Sequence, residues 1–305
     1  MGEGLSNMYR QIGLRAAKIK IGTEAGTMKK LSTFKMLFAA AAFAAAQTSP
    51  QAFADDSLAR VKAAKELKIG TETAFAPFDF VDTKGAHVGF NVDLFDEVGK
   101  DLGVKVTWVA LPFEGLLPSL EASKFDMMAG PIMVTKARME RYRFMPPVAE
   151  ATVALLKRKS DTSITRPEDV AGKTVGGGKA SAQLAQLKAF VEKLPGKTSV
   201  REYVGNNEAY ADLAAGRIVG VGNSLPNITY VASQRPEVFE VVKPAFGDPA
   251  YFAYLGRKNP DDKALLDAIQ ATLIKFKTDG RMAALQKKWF GTEFQTPELV
   301  TDPKL

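Results

Sequence analysis

The chain has 305 residues, enough for about two domains of ordinary size. Hydrophobic residues make up 46% and charged residues 25%, so a packed core is available and wholesale disorder is excluded. The formal charge of +7 invites a nucleic-acid reading, but residues 1–54 hold seven basic side chains against two acidic ones, and the remainder carries only +2. No cysteine is present, so no disulfide framework and no lipid-bearing N-terminal cysteine can form.

The first 54 residues read as a leader. Met28-Lys29-Lys30 opens a basic stretch that reaches Lys35, residues 36–46 are uncharged and apolar, and Ala52-Phe53-Ala54 ends in small residues. That order predicts a secretory signal peptide cut after Ala54, with a buried Ala-rich helix as the alternative. The apolar run falls short of the ~20 residues that span a bilayer. Residues 1–27 precede the pattern, so Met28 is the expected start. The expected location is the periplasm, without a lipid anchor.

Residues 55–66 (DDSLARVKAAKE) predict a short opening helix, and residues 67–73 (LKIGTET) a strand ending in a polar turn. Residues 75–90 read as extended, with a turn at Asp82-Thr83-Lys84-Gly85. In NVDLFDEVGKDLG, the apolar Val92, Leu94, Phe95 and Val98 fall near helical spacing, and Gly103 marks the stop. VKVTWVAL predicts a strand, FEGLLPSLEAS a helix and FDMMAG a strand. A second cycle starts at residue 174 with a strand. SAQLAQLKAFVEKL then predicts a helix, TSVREYV a strand, NNEAYADLAAG a helix and RIVGVGN a strand. Such alternation predicts α/β lobes built on parallel strands. YFAYLGRK predicts one more strand. KALLDAIQATLIKFKTDG predicts an amphipathic helix stopped by Gly280, and MAALQKKWFG a last helix.

Most catalytic chemistry lacks its parts. His87 is the only histidine and reads as a solvated loop residue, so the common zinc constellations cannot be built. No G-x-S-x-G elbow is present. TVGGGKAS fails as a phosphate loop, because Lys173 stands where a glycine is needed and Ala180 where Ser or Thr is needed. What remains is a glycine-rich loop running into a helix that begins near Ser181. Its backbone N–H groups could hold a carboxylate, or the glycines could serve close packing alone. No catalytic residue, metal or cofactor is expected.

Taken in order, LKIGTETAFAPFDF, GFNVDLFDEVGKDLG, FEGLLPSLEASKFDMMAG, VTKARMERYRF, GKTVGGGKASAQ, AAGR and DGRMAALQKKWFG resemble the family 3 extracellular solute-binding proteins. The resemblance implies a two-lobed, type II periplasmic-binding-protein-like α/β fold. Each lobe is then a mostly parallel sheet flanked by helices, with two hinge strands between the lobes. Residues 55–152 and 247–305 would form the first lobe, and residues 153–246 the second. The implied function is capture of an amino acid or similar small carboxylate between closing lobes, as a monomeric receptor for an ABC permease in the inner membrane. A cyclohexadienyl-dehydratase-like enzyme on the same fold is the alternative.

By the same resemblance, Arg138 grips the ligand's carboxylate, a task suited to a planar guanidinium. By pattern alone it is a surface arginine at a helix start. Glu72 matches an acid that touches the ligand's side chain. Phe75 and Phe113 match aromatic walls, with core packing as the alternative. Gly130 matches a residue whose backbone faces the ligand, and Ser181, Ala182 and Gln183 match the helix start that completes the carboxylate clamp. Three positions depart from the family pattern. Pro131 has no N–H to offer, Met133 replaces a common Ser or Thr, and Asn223-Ser224 stand where an aspartate usually pairs with the ligand's ammonium. Either Glu72 or another acid supplies that charge, or the ligand lacks a free ammonium.

Overall fold

A computed structural model of the protein describes residues 56–305, and the expected leader lies outside the described residues. The opening helix, Ser57–Ala64, is capped by the Asp56 carboxylate, which accepts from the Leu58 N–H at 2.9 Å. The first sheet runs in the order Lys105–Ala110, Glu66–Thr71, Met127–Met133, Tyr251–Arg257 and Tyr142–Phe144, with Ala149–Glu150 beside Tyr251–Arg257. Its first three strands are parallel, and Tyr251–Arg257 returns antiparallel to its neighbours. Parallel strands need crossovers, which the helices Phe90–Leu102 and Phe113–Glu121 supply. Leu94, Phe95 and Val98 on the first of these share one buried core with Ile69, Met127, Tyr254, Leu266 and Ile269.

The second sheet has the order Ser199–Tyr203, Thr174–Gly178, Gly220–Ser224, Val153–Arg158 and Phe239–Val242. Again the strands joined through helices are parallel, and the other two are antiparallel. The helices Ala182–Glu192, Asn206–Ala214 and Leu225–Gln234 accompany it. The chain passes from the first sheet to the second between Glu150 and Val153, and returns between Val242 and Tyr251. The two passages touch, because Phe246 N–H and Gly247 N–H both donate to the Val153 carbonyl, at 3.0 and 2.9 Å.

Gly103 takes the left-handed cap expected of it. The long helix Lys263–Thr278 is capped by Asp279, and Gly280, at φ 86°, takes the left-handed stop position just past it and opens the last helix, Arg281–Phe290. His87 is not a solvated loop residue. It lies half-buried on the short strand His87–Val88, in a three-stranded sheet with Ala74–Phe75 and Asp79–Val81. The turn between those strands is tied by Asp82, whose carboxylate accepts from the N–H groups of Lys84 and Ala86.

Gly89 holds this small sheet against the helix Phe90–Leu102. Its φ is 142°, and a Cβ there would collide with the Phe78 carbonyl. Gly89→Ala is therefore expected to lose about 2–4 kcal/mol of stability, from combined strain and overpacking. Urea unfolding of the variant checks this, and an unchanged midpoint would contradict it.

Candidate functional site

The parallel strands of both sheets end on one crevice, the position where open α/β sheets take their ligands. Its walls are Glu72, Phe75, Phe113 and Pro131 from the first-sheet side. Gly178, Lys179, Ser181, Gln183, Val204, Asn206 and Asn223 face them from the second. The enclosed cavity measures about 20 Å³, room for about one water. Polar contacts bridge it. Asn206 donates to the Ala74 carbonyl at 3.4 Å, Asn227 donates to the Ala76 carbonyl, and Lys179 pairs with Glu114 at 2.7 Å.

Seven of the twelve residues expected from the sequence line this crevice, and five do not. Glu72 sits just past the strand Glu66–Thr71 and is 6% exposed, yet its carboxyl makes no hydrogen bond or ion pair to the described residues. Burial, aided by the charge of Asp79, pushes it up to about 8. Phe75 serves as both wall and core, stacked on Phe78 at 5.4 Å. Phe113 packs beside the cluster around Leu116 and Phe125. Pro131 belongs to a fully buried strand, Met127–Met133, rather than a loop. Its missing N–H is tolerated because the ladder with Tyr251–Arg257 shifts register at that point.

Ser181 caps its helix, accepting from Leu184 N–H at 3.0 Å and donating to the Gly178 carbonyl at 2.7 Å. The N–H groups of Ala182 and Gln183 then have no partner inside the helix. Asn223 donates to Asn206 Oδ1 at 3.1 Å and to the Tyr210 hydroxyl at 2.9 Å.

Gly130, Met133, Arg138, Ala182 and Ser224 do not line the cavity. A Cβ on Gly130 would meet Leu116 at 3.3 Å. Met133 Sδ accepts from Gln186 Nε2 at 3.3 Å, across the two halves. Ala182 packs against the first core. The Ser224 hydroxyl is fully buried and unpartnered, while its N–H donates to Asn223 Oδ1. Arg138 lies on the short helix Lys136–Arg141, capped by Thr135, and its guanidinium donates to the Met133 carbonyl at 2.9 Å. It is half-buried with no acid partner among the described residues, and burial lowers it to about 10. Val204 and Asn206 were not singled out by sequence, and Gly178 and Lys179 were met only within the glycine-rich stretch TVGGGKAS. Each follows or ends a strand, or opens a helix at the crevice, and that position is the signal that could have found them.

The profile of the bacterial extracellular solute-binding proteins, family 3, matches residues 67–292. The chain belongs to this family. It is 30% identical over 229 residues to the lysine/arginine/ornithine-binding periplasmic protein of Escherichia coli K12, covering 73% of this chain and 87% of that protein. Among solved structures, an ABC uptake transporter substrate-binding protein from Streptococcus pneumoniae with bound histidine superposes with TM-score 0.73 at 25% identity. That match covers 79% of this chain and 99% of the other. An ancestral amino acid-binding protein described as a precursor of cyclohexadienyl dehydratase gives TM-score 0.70 at 26% identity, over 77% and 99%. The fold is the two-lobed type II arrangement of such binding proteins.

In this solute-binding protein the raised acid has a stability consequence. Folded Glu72 holds its proton more tightly than the unfolded chain does, from 4.5 up to about 8. That contribution is full below pH 4.5 and fades as pH climbs through 8. Glu72→Gln should match the wild type near pH 4.5 and exceed it by about 1–3 kcal/mol at pH 8. Urea midpoints at the two pH values check this, and a constant difference would contradict it.

Proposed function

We propose that this chain is the periplasmic receptor of an ABC importer for an amino acid that presents a cationic group to Glu72 and its carboxylate to Arg138. The lobes are residues 55–152 with 247–305, and residues 153–246. The observation that carries this reading is a poorly compensated acid on the crevice wall, with a poorly compensated guanidinium beyond it. Among the described residues, Glu72 is a buried acid without a partner, and Arg138 is a half-buried guanidinium without an acid. Buried charge is costly unless paired, so each side chain favours a ligand group of opposite charge. A zwitterion with its ends apart meets both demands. The N–H groups of Ala182 and Gln183 supply further donors to an anion.

A cavity of about 20 Å³ is far smaller than an amino acid, so uptake requires the lobes to part. The two adjoining passages near Val153 and Gly247 suit a hinge. Capture, closure and presentation to a membrane permease follow as the working cycle. The protein is proposed to reach the periplasm through a leader cut after Ala54, and to act as a monomer without a cofactor. The amino-acid ligands named for its relatives support the ligand class.

Arg138→Ala should weaken binding of the captured amino acid by about 2–5 kcal/mol, the cost of stranding a desolvated carboxylate. Calorimetric titration, after unfolding and refolding to strip carried ligand, measures it, and unchanged affinity would remove Arg138 from the site. A second reading draws on the same Glu72, since a crevice carboxyl that keeps its proton at neutral pH can act as a general acid. Turnover of prephenate or arogenate by the purified protein would favour that dehydratase reading, and inert substrates would favour the receptor.

A further inference from the structure

Behind the crevice wall lies a second carboxylate. Asp79 is fully buried, lines no part of the crevice, and is tied down from every side. His87 Nε2 lies 3.0 Å from Asp79 Oδ1, and Asn91 Nδ2 donates to Oδ2. The hydroxyl of Thr71, the residue before Glu72, donates to the Glu72 carbonyl at 3.2 Å and also favours the charged form of Asp79. Asn91 also donates to the Ala129 carbonyl at 2.8 Å and accepts from the Tyr254 hydroxyl. His87 is half-buried and meets the Trp108 ring edge-on at 5.0 Å, so this cluster runs from the crevice to the surface.

The charged and titratable neighbours are few. Asp79 faces His87, Glu72 and Tyr254, and Glu72 faces Asp79 and Tyr210. Among the described residues, no arginine or lysine acts on either acid. Donors converge on Asp79 and none reaches the Glu72 carboxyl, so the negative charge of the pair belongs on Asp79 and the proton on Glu72.

We propose that Asp79, held by His87, sets the specificity of the crevice from one layer behind it, so that Glu72 exchanges its proton for the ligand's cation on binding. The exchange balances simply: the Glu72 carboxyl gives its proton to solvent and becomes the carboxylate that faces the cation. A ligand lacking a cation at that end meets a neutral acid instead, and no proton leaves. The inference rests on the amino-acid receptor reading for its ligand, but the state of Glu72 can be measured without one.

Carboxyl-carbon NMR of the full chain labelled at Asp and Glu tests it, with the Glu72 signal assigned by its loss in Glu72→Gln. In the wild type, Glu72 is expected to titrate above neutrality. In Asp79→Asn, where the amide oxygen still accepts from His87, the midpoint should fall by about 1 pH unit, a tenfold stronger acid. His87→Phe keeps an aromatic edge on Trp108 and frees Asp79 to take up the proton, so it should lower the Glu72 midpoint too and serves if Asp79→Asn fails to fold. A Glu72 midpoint in the ordinary carboxylate range, or one unmoved in the folded variant, overturns the proposal. A parallel thermal-shift panel with L-arginine, L-histidine and their keto acids separates the two ideas. If Glu72 behaves as expected and no amino acid shifts the melt, the receptor reading fails while the charge-setting role stands.

Discussion

One buried carboxylate organises the ligand side of this molecule. Asp79 accepts from His87 on a neighbouring strand and from Asn91 on the first crossover helix, and the Thr71 hydroxyl at the end of the central strand favours its charge. Asn91 carries the connection on to the strand Met127–Met133 and, through Tyr254, to the strand that returns from the second sheet. An ion in a dry interior survives only when donors surround it, and here the donors come from two separate segments, the strand His87–Val88 and the helix Phe90–Leu102. Satisfying Asp79 therefore fixes where the small sheet sits, and with it Phe75 and the crevice edge. The same charge bears on Glu72, which burial already raises to about 8, so the scaffold and the site share one electrostatic account.

Closure of the crevice uses different chemistry. Side chains from the second sheet's half donate to bare carbonyls on the loop near Ala74 and Ala76, and a single ion pair joins Lys179 to Glu114. These are few, partly exposed and neutral for the most part, each worth about 0.5–1.5 kcal/mol net. Contacts of that size hold two lobes together while leaving them separable, as a receptor that must release its cargo requires.

Much of this architecture was legible in the sequence. Long periodic segments such as residues 91–103 and 263–278 gave their helices away, since burial of one face imposes the spacing. The motif order carried the family and the two-lobed plan. The helix Leu225–Gln234 was missed because Pro226 and the β-branched Ile228, Thr229 and Val231 mask its periodicity. The strand Val153–Arg158 is buried throughout its first five residues and so shows no alternation. At the site, residue types at motif positions were readable, but layers were not. Nothing local says that Asp79, between two phenylalanines, is buried on a small covered sheet, or that His87 reaches back to it. Pro131 read only as a missing N–H donor, and its tolerance depends on a register shift visible only in three dimensions.

Ligand capture, as proposed, turns on a buried acid, Glu72, that gives up a proton when a cation takes its place. Counting those protons is the most direct test. Calorimetry of binding at pH 7, in two buffers of different ionisation enthalpy, yields the number released per amino acid bound. A value close to one, falling to near zero in Glu72→Gln, is the predicted result. A value of zero in the wild type, with binding intact, would mean that Glu72 faces no ligand cation, and the charge pairing described above would be wrong.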